Sequence, residues 1–157
     1  MKYAEKTDVS AEKSRAEIET ILRRYGATGF AYGWDETSAV LGFKVHNRQI
    51  KFILEMPDPN DQKFWRTPER KFERSREQAL AAWEQATRQR WRALVLVIKA
   101  KLEAVEAGIS VFEQEFMAHI VLPNGQTVGD YVLPQIEQAY QTGVMPKLLP
   151  GIGGTGN

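Results

Sequence analysis

The sequence of 157 residues contains no cysteine. This absence excludes disulfide bonds, cysteine nucleophiles, thiolate zinc sites and iron–sulfur clusters. Histidine is also scarce, because His46 and His119 are the only two in the chain. Without cysteine, two histidines are too few for a His-rich metal site within one chain. We therefore expect neither a metal nor a cofactor.

Long apolar runs are missing as well. The longest, residues 93–98, has six residues, whereas a membrane-spanning helix needs about 20. The N-terminal sequence MKYAEKTDVS lacks the apolar stretch of a signal peptide. A composition of 43% hydrophobic and 26% charged residues is typical of a globular chain, and the length suits one domain. We expect a soluble intracellular protein without membrane contacts.

Short catalytic motifs are absent too. The sequence has no G-x-S-x-G elbow, no P-loop and no H-E-x-x-H. GIGGTG at 151–156 matches G-x-G-x-x-G, but no helix follows it to bind a phosphate, so we interpret the match as accidental. Neither His46 nor His119 has a metal-spaced partner, and a structural or surface role is favoured over general-base chemistry for both.

Paired carboxylates are the remaining route to catalysis. Asp58 and Asp61 share one predicted loop, and Glu113 and Glu115 share one short predicted helix. Such pairs serve acid–base chemistry, but the two aspartates also suit turns, and Glu113 suits a capping box. The sequence favours a protein that is not an enzyme, with a carboxylate–metal nuclease as a minor alternative.

Apolar periodicity predicts an α+β fold. A helix over 10–25 is capped by Asp8 or Ser10. Alternating apolar residues then predict three strands joined by turns at DETS and NR, and MKYAEKT is a candidate fourth strand at an edge. We expect a three- to four-stranded antiparallel sheet covered by the N-terminal helix, with a helical C-terminal half built around one long helix over 77–107.

These elements predict a single domain over residues 1–150. It divides into a helix plus β-meander over 1–57, a basic excursion over 58–76 and a helical part over 77–142, with a flexible tail over 143–157. In the helical part, Ser110 and Glu113 form a capping-box pattern. Thr127 is the expected cap of a later helix that Pro134 either kinks or restarts.

The net charge of +1 conceals a strong asymmetry. Residues 63–101 carry eleven Lys/Arg and four Asp/Glu, whereas residues 102–157 carry one lysine and six acids. A basic centre of this kind binds a polyanion, or it pairs with the acidic C-terminal part of the same chain or of a second copy. Self-association is therefore plausible, and the chain is a candidate homo-oligomer.

The excursion interleaves its cations with aromatic residues, a composition that suits phosphate contacts and base stacking. The alternative is a solvated connector in which Glu69, Glu73 and Glu77 pair with those cations. We predict contact with nucleic acid or with an acidic protein surface through the excursion and the start of the long helix, at Lys63, Trp65, Arg66, Arg70, Lys71, Arg74, Arg76, Arg88 and Arg92.

A helical wheel at about 100° per residue gives the long helix two apolar stripes. Bulky side chains between Leu80 and Val105 form one stripe, and alanines together with Val97 form the other, so we expect packing on two sides. Arg88, Arg92 and Lys99 share a narrow exposed strip, while Arg90 and Lys101 lie elsewhere on the helix. The helix therefore does not carry one basic face.

The aromatic residues of the predicted sheet have two interpretations. Phe30, Tyr32 and Trp34 share one face of a strand, with Phe43 and Phe52 nearby. They form either an open base-stacking platform or the core face beneath the N-terminal helix. The core is favoured, because the alternation gives only one strongly apolar face and that helix needs a partner.

Two stretches carry a resemblance to known proteins. YAEKTDVSAEKSRAEIETILRRYGA at 3–27, and RQRWRALVLVIKAKLEAVEAGISVFEQEF with IVLPNGQTVG within 88–129, resemble an uncharacterised family of small proteins encoded by bacteriophages and prophages. The resemblance implies an accessory protein in the bacterial cytoplasm and brings no catalytic residues. The order of one helix, three strands and a helix is also similar to a double-stranded-RNA-binding domain, from which the much longer second helix departs.

We therefore expect a phage-encoded, non-enzymatic accessory protein that contacts nucleic acid through its basic, aromatic-containing loop. The alternative is a protein-binding inhibitor or assembly factor that acts on a host or phage protein through the same loop.

Overall fold

The computed structural model describes Ala4 and residues 6–145. Three strands, β1 (Gly29–Trp34), β2 (Ser38–Val45) and β3 (Arg48–Glu55), form an antiparallel sheet in the order β1-β2-β3. The helices are α1 (Ala11–Arg24), α2 (Gln62–Trp65), α3 (Arg76–Glu106), α4 (Phe112–Glu115) and α5 (Val128–Thr142), with a 3₁₀ turn at Met117–His119. The predicted α+β fold is confirmed. The candidate edge strand over residues 1–7 lies mostly outside the described residues.

The first helix begins and ends on the predicted signals. The Ser10 hydroxyl accepts a hydrogen bond from the Lys13 N–H at 3.2 Å and caps the helix. Gly26 follows the last turn with a φ of 89°, a conformation that glycine adopts without a Cβ clash. Ile18 and Leu22 are fully buried against the sheet and α3. The amphipathic face of α1 therefore covers the sheet as expected.

The β2–β3 hairpin turns one residue earlier than predicted. Its loop consists of His46 and Asn47, both with positive φ (51° and 58°), as a type I′ turn requires. The predicted turn at NR was therefore wrong by one residue. Moving a two-residue loop by one position shifts the pairing by two residues, so Phe43 still pairs with a core residue, Ile50. Because strand side chains alternate with period two, the predicted buried face is kept.

The edge strand β1 departs from the expectation of a buried aromatic face. Its register pairs Tyr32 with Leu41 and Trp34 with Ala39, which places both rings on the core side of the sheet. Phe30 is half-buried, but Tyr32 is 48% and Trp34 75% exposed. The prediction that all the sheet aromatics belong to the core is therefore wrong for Tyr32 and Trp34, because the packed core does not extend over this end of the edge strand.

The long helix α3 supplies the other side of the core. It begins with a capping box, in which the Ser75 hydroxyl accepts from the Gln78 N–H and the Gln78 side chain accepts from the Ser75 N–H. Most of the bulky stripe is buried, with Trp91 at its centre. On the small-residue stripe, Val97 and Ala100 are exposed. The bulky stripe therefore packs against the core as expected, whereas the small-residue stripe is covered only in part.

The C-terminal helices are short or peripheral. The capping box predicted at Ser110 was wrong, because α4 begins after Val111 without a side-chain cap. The Thr127 hydroxyl caps α5 by accepting from the Asp130 N–H at 3.1 Å, and α5 continues through Pro134. Residues 146–157, which include GIGGTG and most of the predicted tail, lie outside the described residues. None of the helices that the structure describes is long and apolar enough to cross a membrane.

Candidate partner-binding surfaces

The predicted excursion folds into a compact loop that we call the basic hairpin (residues 65–76). The Thr67 N–H donates to the Phe72 carbonyl at 2.8 Å, and the Arg74 N–H donates to the Trp65 carbonyl at 2.7 Å. These bonds across the loop satisfy backbone groups that a solvated connector would leave to water. The hairpin therefore presents its side chains from a defined backbone.

Contacts at its base hold the basic hairpin against the body of the protein. Phe64 of α2 is buried, and α2 packs against α3. The Trp65 indole N–H donates to the Pro59 carbonyl at 3.2 Å, and the Arg74 guanidinium donates to the Phe64 carbonyl at 3.3 Å. Of the nine predicted site residues, Trp65 and Arg74 thus have structural contacts as well as partial exposure.

The cations of the basic hairpin are mostly unpaired. Lys63, just before it, forms an ion pair with Asp61 at 3.5 Å. Among the residues that the structure describes, no ion pair involves the four exposed cations of the hairpin, which are Arg66, Arg70, Lys71 and Arg76. Phe72 lies among them with 61% of its surface exposed. The pairing with Glu69, Glu73 and Glu77 that a solvated connector predicts is not found within the described residues.

Arg88 and Arg92, the predicted site residues farther along α3, have internal partners. Arg88 donates to the Gln85 side chain through Nε at 3.0 Å. Arg92 bonds the Glu17 carboxylate on α1, and Lys99 donates to the same carboxylate at 3.2 Å. The structure therefore separates Arg88 and Arg92 from the basic hairpin and gives Arg92 a role between two helices.

Glu17 is the electrostatic centre of the contact between α1 and α3. Burial raises the pKa of its carboxyl, but hydrogen bonds from Arg92 and Lys99 and their positive charges outweigh that effect, and the pKa falls below its ordinary value. Its side chain is 32% exposed and that of Arg92 is 21% exposed, so solvent screens the pair only in part. The strip of cations seen on the helical wheel is partly neutralised by α1.

The two histidines take part in ring packing. The His46 ring meets the Phe112 ring at a centroid distance of 5.3 Å, and the His119 ring stacks on Phe52 at 3.9 Å. Burial lowers the pKa of His119, and the nearby positive charge of Lys101 lowers it further. These contacts are compatible with the structural or surface role that the sequence favoured for both histidines.

Three of the four carboxylates proposed as catalytic pairs have partners within the protein. Asp58 accepts from the Asn60 N–H at 2.9 Å, and Asp61 accepts from the Lys63 N–H at 3.0 Å at the start of α2. Glu115 pairs with a lysine of α3 at 3.4 Å. Within the described part of the chain, no group of three His, Cys, Asp or Glu side chains is placed to hold a metal ion.

A second surface was not anticipated from the sequence, and we call it the acid–aromatic cleft. It is an open cleft of about 810 Å³ between the start of α1, the β1–β2 turn, the loop before α2 and the middle of α3. Trp34, Trp83 and Trp91 line it. Its charged residues are one cation and four acids, namely Arg15, Glu12, Asp35, Glu36 and Asp58.

Sequence reasoning missed this cleft because its parts are far apart in the chain. Trp83 was assigned to the bulky stripe of α3, and its indole N–H indeed bonds the Pro57 carbonyl at 2.7 Å. Trp34 was assigned to the core face of β1. The one local signal is the WDE sequence at 34–36, which places a large ring beside two acids at a turn.

Comparisons with family models, curated proteins and solved structures find no match to this chain. The site must therefore be interpreted from its own residues.

Proposed function

We propose that this chain is a non-enzymatic accessory protein that contacts nucleic acid through the basic hairpin. One observation carries the proposal: within the described residues, one short hairpin whose backbone is fixed by hydrogen bonds carries four exposed cations without ion pairs and an exposed aromatic ring. Unpaired cations bind phosphates at no loss of an existing ion pair. Exposed rings stack on bases whatever the sequence.

The charge of the hairpin sets the expected salt dependence. Each cation that neutralises a phosphate releases condensed counterions, so the logarithm of the affinity falls with log salt by about 0.9 per contact on duplex DNA. Four contacts give a slope of about −3 to −4, and an affinity loss of about 100-fold between 50 and 200 mM salt. Little sequence preference is expected, because phosphate contacts carry none.

The ring of Phe72 gives a second, separable contribution. Its exposed face is a stacking surface for an unpaired base, and such contacts contribute about 1–3 kcal/mol per base. Trp65 is partly exposed but is held to Pro59, so its ring has less freedom to reorient. Single-stranded oligonucleotides are therefore expected to bind at least as well as duplexes of the same charge.

The test is the binding of fluorescent single- and double-stranded oligonucleotides, both DNA and RNA, across a salt series. The test variant replaces Arg66, Arg70, Lys71 and Arg76 with glutamine. Its matched control replaces four other exposed cations that form no ion pair within the described residues, namely Lys13, Arg24, Lys44 and Arg48. The hairpin variant should lose most of the binding and flatten the slope by about 3–4, and the control should lose much less.

Two results would overturn the proposal. One is the absence of binding to every oligonucleotide at low salt. The other is an equal loss in both variants, because that would reflect net charge rather than the hairpin.

The alternative function is a protein-binding inhibitor or assembly factor. The same four cations complement an acidic surface, and an exposed aromatic next to arginines is a frequent anchor of protein interfaces. A pull-down from bacterial lysate treated with nuclease separates the two functions. A partner that survives nuclease and is lost in the hairpin variant, but not in its control, favours the inhibitor.

The proposed setting is a bacteriophage or prophage product in the bacterial cytoplasm. It is supported by the resemblance of residues 3–27 and 88–129 to small phage proteins. Detection of the chain among the proteins made after infection or prophage induction is the measurement that checks it.

A further inference from the structure

We propose that the acid–aromatic cleft binds an arginine side chain from an extended segment of a partner protein. The cleft differs from the basic hairpin in charge and in residues, so this inference is independent of the nucleic-acid proposal. Its basis is a combination of the exposed ring of Trp34, an arginine of this chain that already contacts another ring of the cleft, Trp91, and an excess of carboxylates.

The exposed tryptophan is the first observation. Trp34 lies opposite Ala39, which is 1% exposed, yet three quarters of the Trp34 surface is in contact with solvent. A large ring on the core-facing side of a sheet is ordinarily covered. Because Trp34 lies in a concave region rather than on a convex surface, it offers its ring to an occupant of the cleft.

The guanidinium of Arg15 is the second observation. Its central carbon lies 4.7 Å from the centroid of the Tyr32 ring and 5.0 Å from that of the Trp91 ring. Both distances are within the range of a cation–π contact. Trp91 lines the cleft, so one of its aromatic walls already holds an arginine, while the ring of Trp34 has no such contact among the described residues.

The carboxylates are the third observation. Glu12 forms an ion pair with Arg15 at 3.7 Å. Because Arg15 is the one cation among the described residues that line the cleft, Asp35, Glu36 and Asp58 leave it with an excess of negative charge. Asp35 and Asp58 each accept their hydrogen bonds through Oδ1, and no bond within the described residues uses their Oδ2. The pKa of Asp35 is lowered by hydrogen bonds from Thr37 and Ser38, so its carboxylate stays charged.

These features select one class of occupant. The excess negative charge repels phosphate, so nucleic acid does not fit. A volume of about 810 Å³ is larger than a single side chain and leaves room for the backbone on either side of it. Arginine is preferred to lysine, because a planar guanidinium stacks on tryptophan and donates two parallel hydrogen bonds to a carboxylate.

The test is a titration of the full chain with the blocked pentapeptides Gly-Gly-Arg-Gly-Gly and Gly-Gly-Gln-Gly-Gly, followed through the indole N–H resonances. The Arg peptide should shift the Trp34 resonance saturably, and the Gln peptide should not. Affinity is expected in the millimolar range, because one side chain supplies a single cation–π contact and ion pair.

Two variants make the titration specific. Followed through the indole N–H resonance of Trp83, which also lines the cleft and is kept in both variants, Trp34→Ala and Glu36→Gln should each weaken binding of the Arg peptide, by about 5- to 30-fold for the tryptophan. Trp34 and Glu36 are both exposed, so neither change should unfold the protein. Glu113→Gln is the matched control, since Glu113 is exposed on α4 and outside the cleft. It should leave the affinity unchanged.

Three results would overturn the inference. Equal shifts of the Trp34 resonance with both peptides would show that the cleft does not distinguish a charged side chain from a neutral one. Absence of any shift at Trp34 at 10 mM Arg peptide would show that it does not bind a guanidinium. Sedimentation that detects a dimer dissociated by Trp34→Ala would make a second copy of this chain the occupant instead of a different protein.

Discussion

Removal of the Glu17 carboxylate tests whether α1 and α3 are joined by charge as well as by apolar packing. Glu17→Gln keeps the shape of the side chain and removes its charge from Arg92 and Lys99. A hydrogen bond to a charged group contributes about 1.5–3 kcal/mol when buried, and an exposed ion pair at most about 1 kcal/mol.

The exposures decide where each contact falls in that range. The side chain of Arg92 is 21% exposed and that of Glu17 32%, so the contact between them is expected to stabilise the fold by about 1.5 kcal/mol. Lys99 is 48% exposed, so its contact with Glu17 is expected to add only a few tenths of a kcal/mol. The total is about 2 kcal/mol. For a chain of this length it corresponds to a fall in Tm of about 4–8 °C.

The assay is thermal and urea unfolding of Glu17→Gln, of Arg92→Met and of the double variant. The double-mutant cycle should give a coupling of about 1 kcal/mol. Glu19→Gln is the control, because Glu19 pairs with the exposed Arg23 one turn away in the same helix and should lose at most about 0.5 kcal/mol. Equal losses at Glu17 and Glu19, or a coupling near zero, would refute the reasoning.

Acid should remove the same contribution. The pKa of Glu17 is lower in the folded protein, so the unfolded chain binds its proton first as the pH falls. The stabilisation is therefore fully present above pH 4.5, the ordinary value, and is lost as the pH falls through the lowered folded pKa. The stability difference between the wild type and Glu17→Gln should shrink over that interval.

Three further changes have defined outcomes. Ser14→Ala should raise the free energy of unfolding by about 1 kcal/mol in urea denaturation, because the fully buried Ser14 hydroxyl has no hydrogen-bond partner among the described residues and alanine is the better helix former. His119→Phe should keep the stack on Phe52 and remove the loss of stability that is expected as the pH falls below 6.5 and through the lowered folded pKa of His119, since the unfolded chain binds that proton first. Gly129→Ala should shift the Tm by no more than a few degrees, because its Cβ would lie 3.0 Å from the Ala118 carbonyl oxygen, which destabilises, whereas alanine is the better helix former, which stabilises.

The sequence predicted those elements whose signals are local. Ser10, Thr127 and the alternation of β2 and β3 specify caps and faces through neighbours a few residues away. Ser110 and Glu113 show the weakness of such signals. Both residue types fit a capping box, but Val111 occupies the cap position. The box that does form joins Ser75, near the end of the basic excursion, to Gln78 at the start of the predicted long helix, so it spans the predicted boundary between the two segments.

The candidate sites depend on distant contacts, which no local pattern reports. Arg92 belongs to a run of cations in the sequence but meets the carboxylate of a residue 75 positions earlier. Trp34 alternates correctly for a buried ring, yet whether it is covered depends on how far the core extends along an edge strand. The sequence therefore predicted which residues carry charge and aromatic surface, but not which of them already have partners within the protein.

The placement of α5 has a consequence for local opening. None of its residues is buried, and its main contact is with the 3₁₀ turn at 117–119. An element with so little burial opens at a free energy well below that of the whole domain. Its amides should exchange with solvent long before those of α1 and of the central part of α3, so this helix is able to rearrange while the core stays folded.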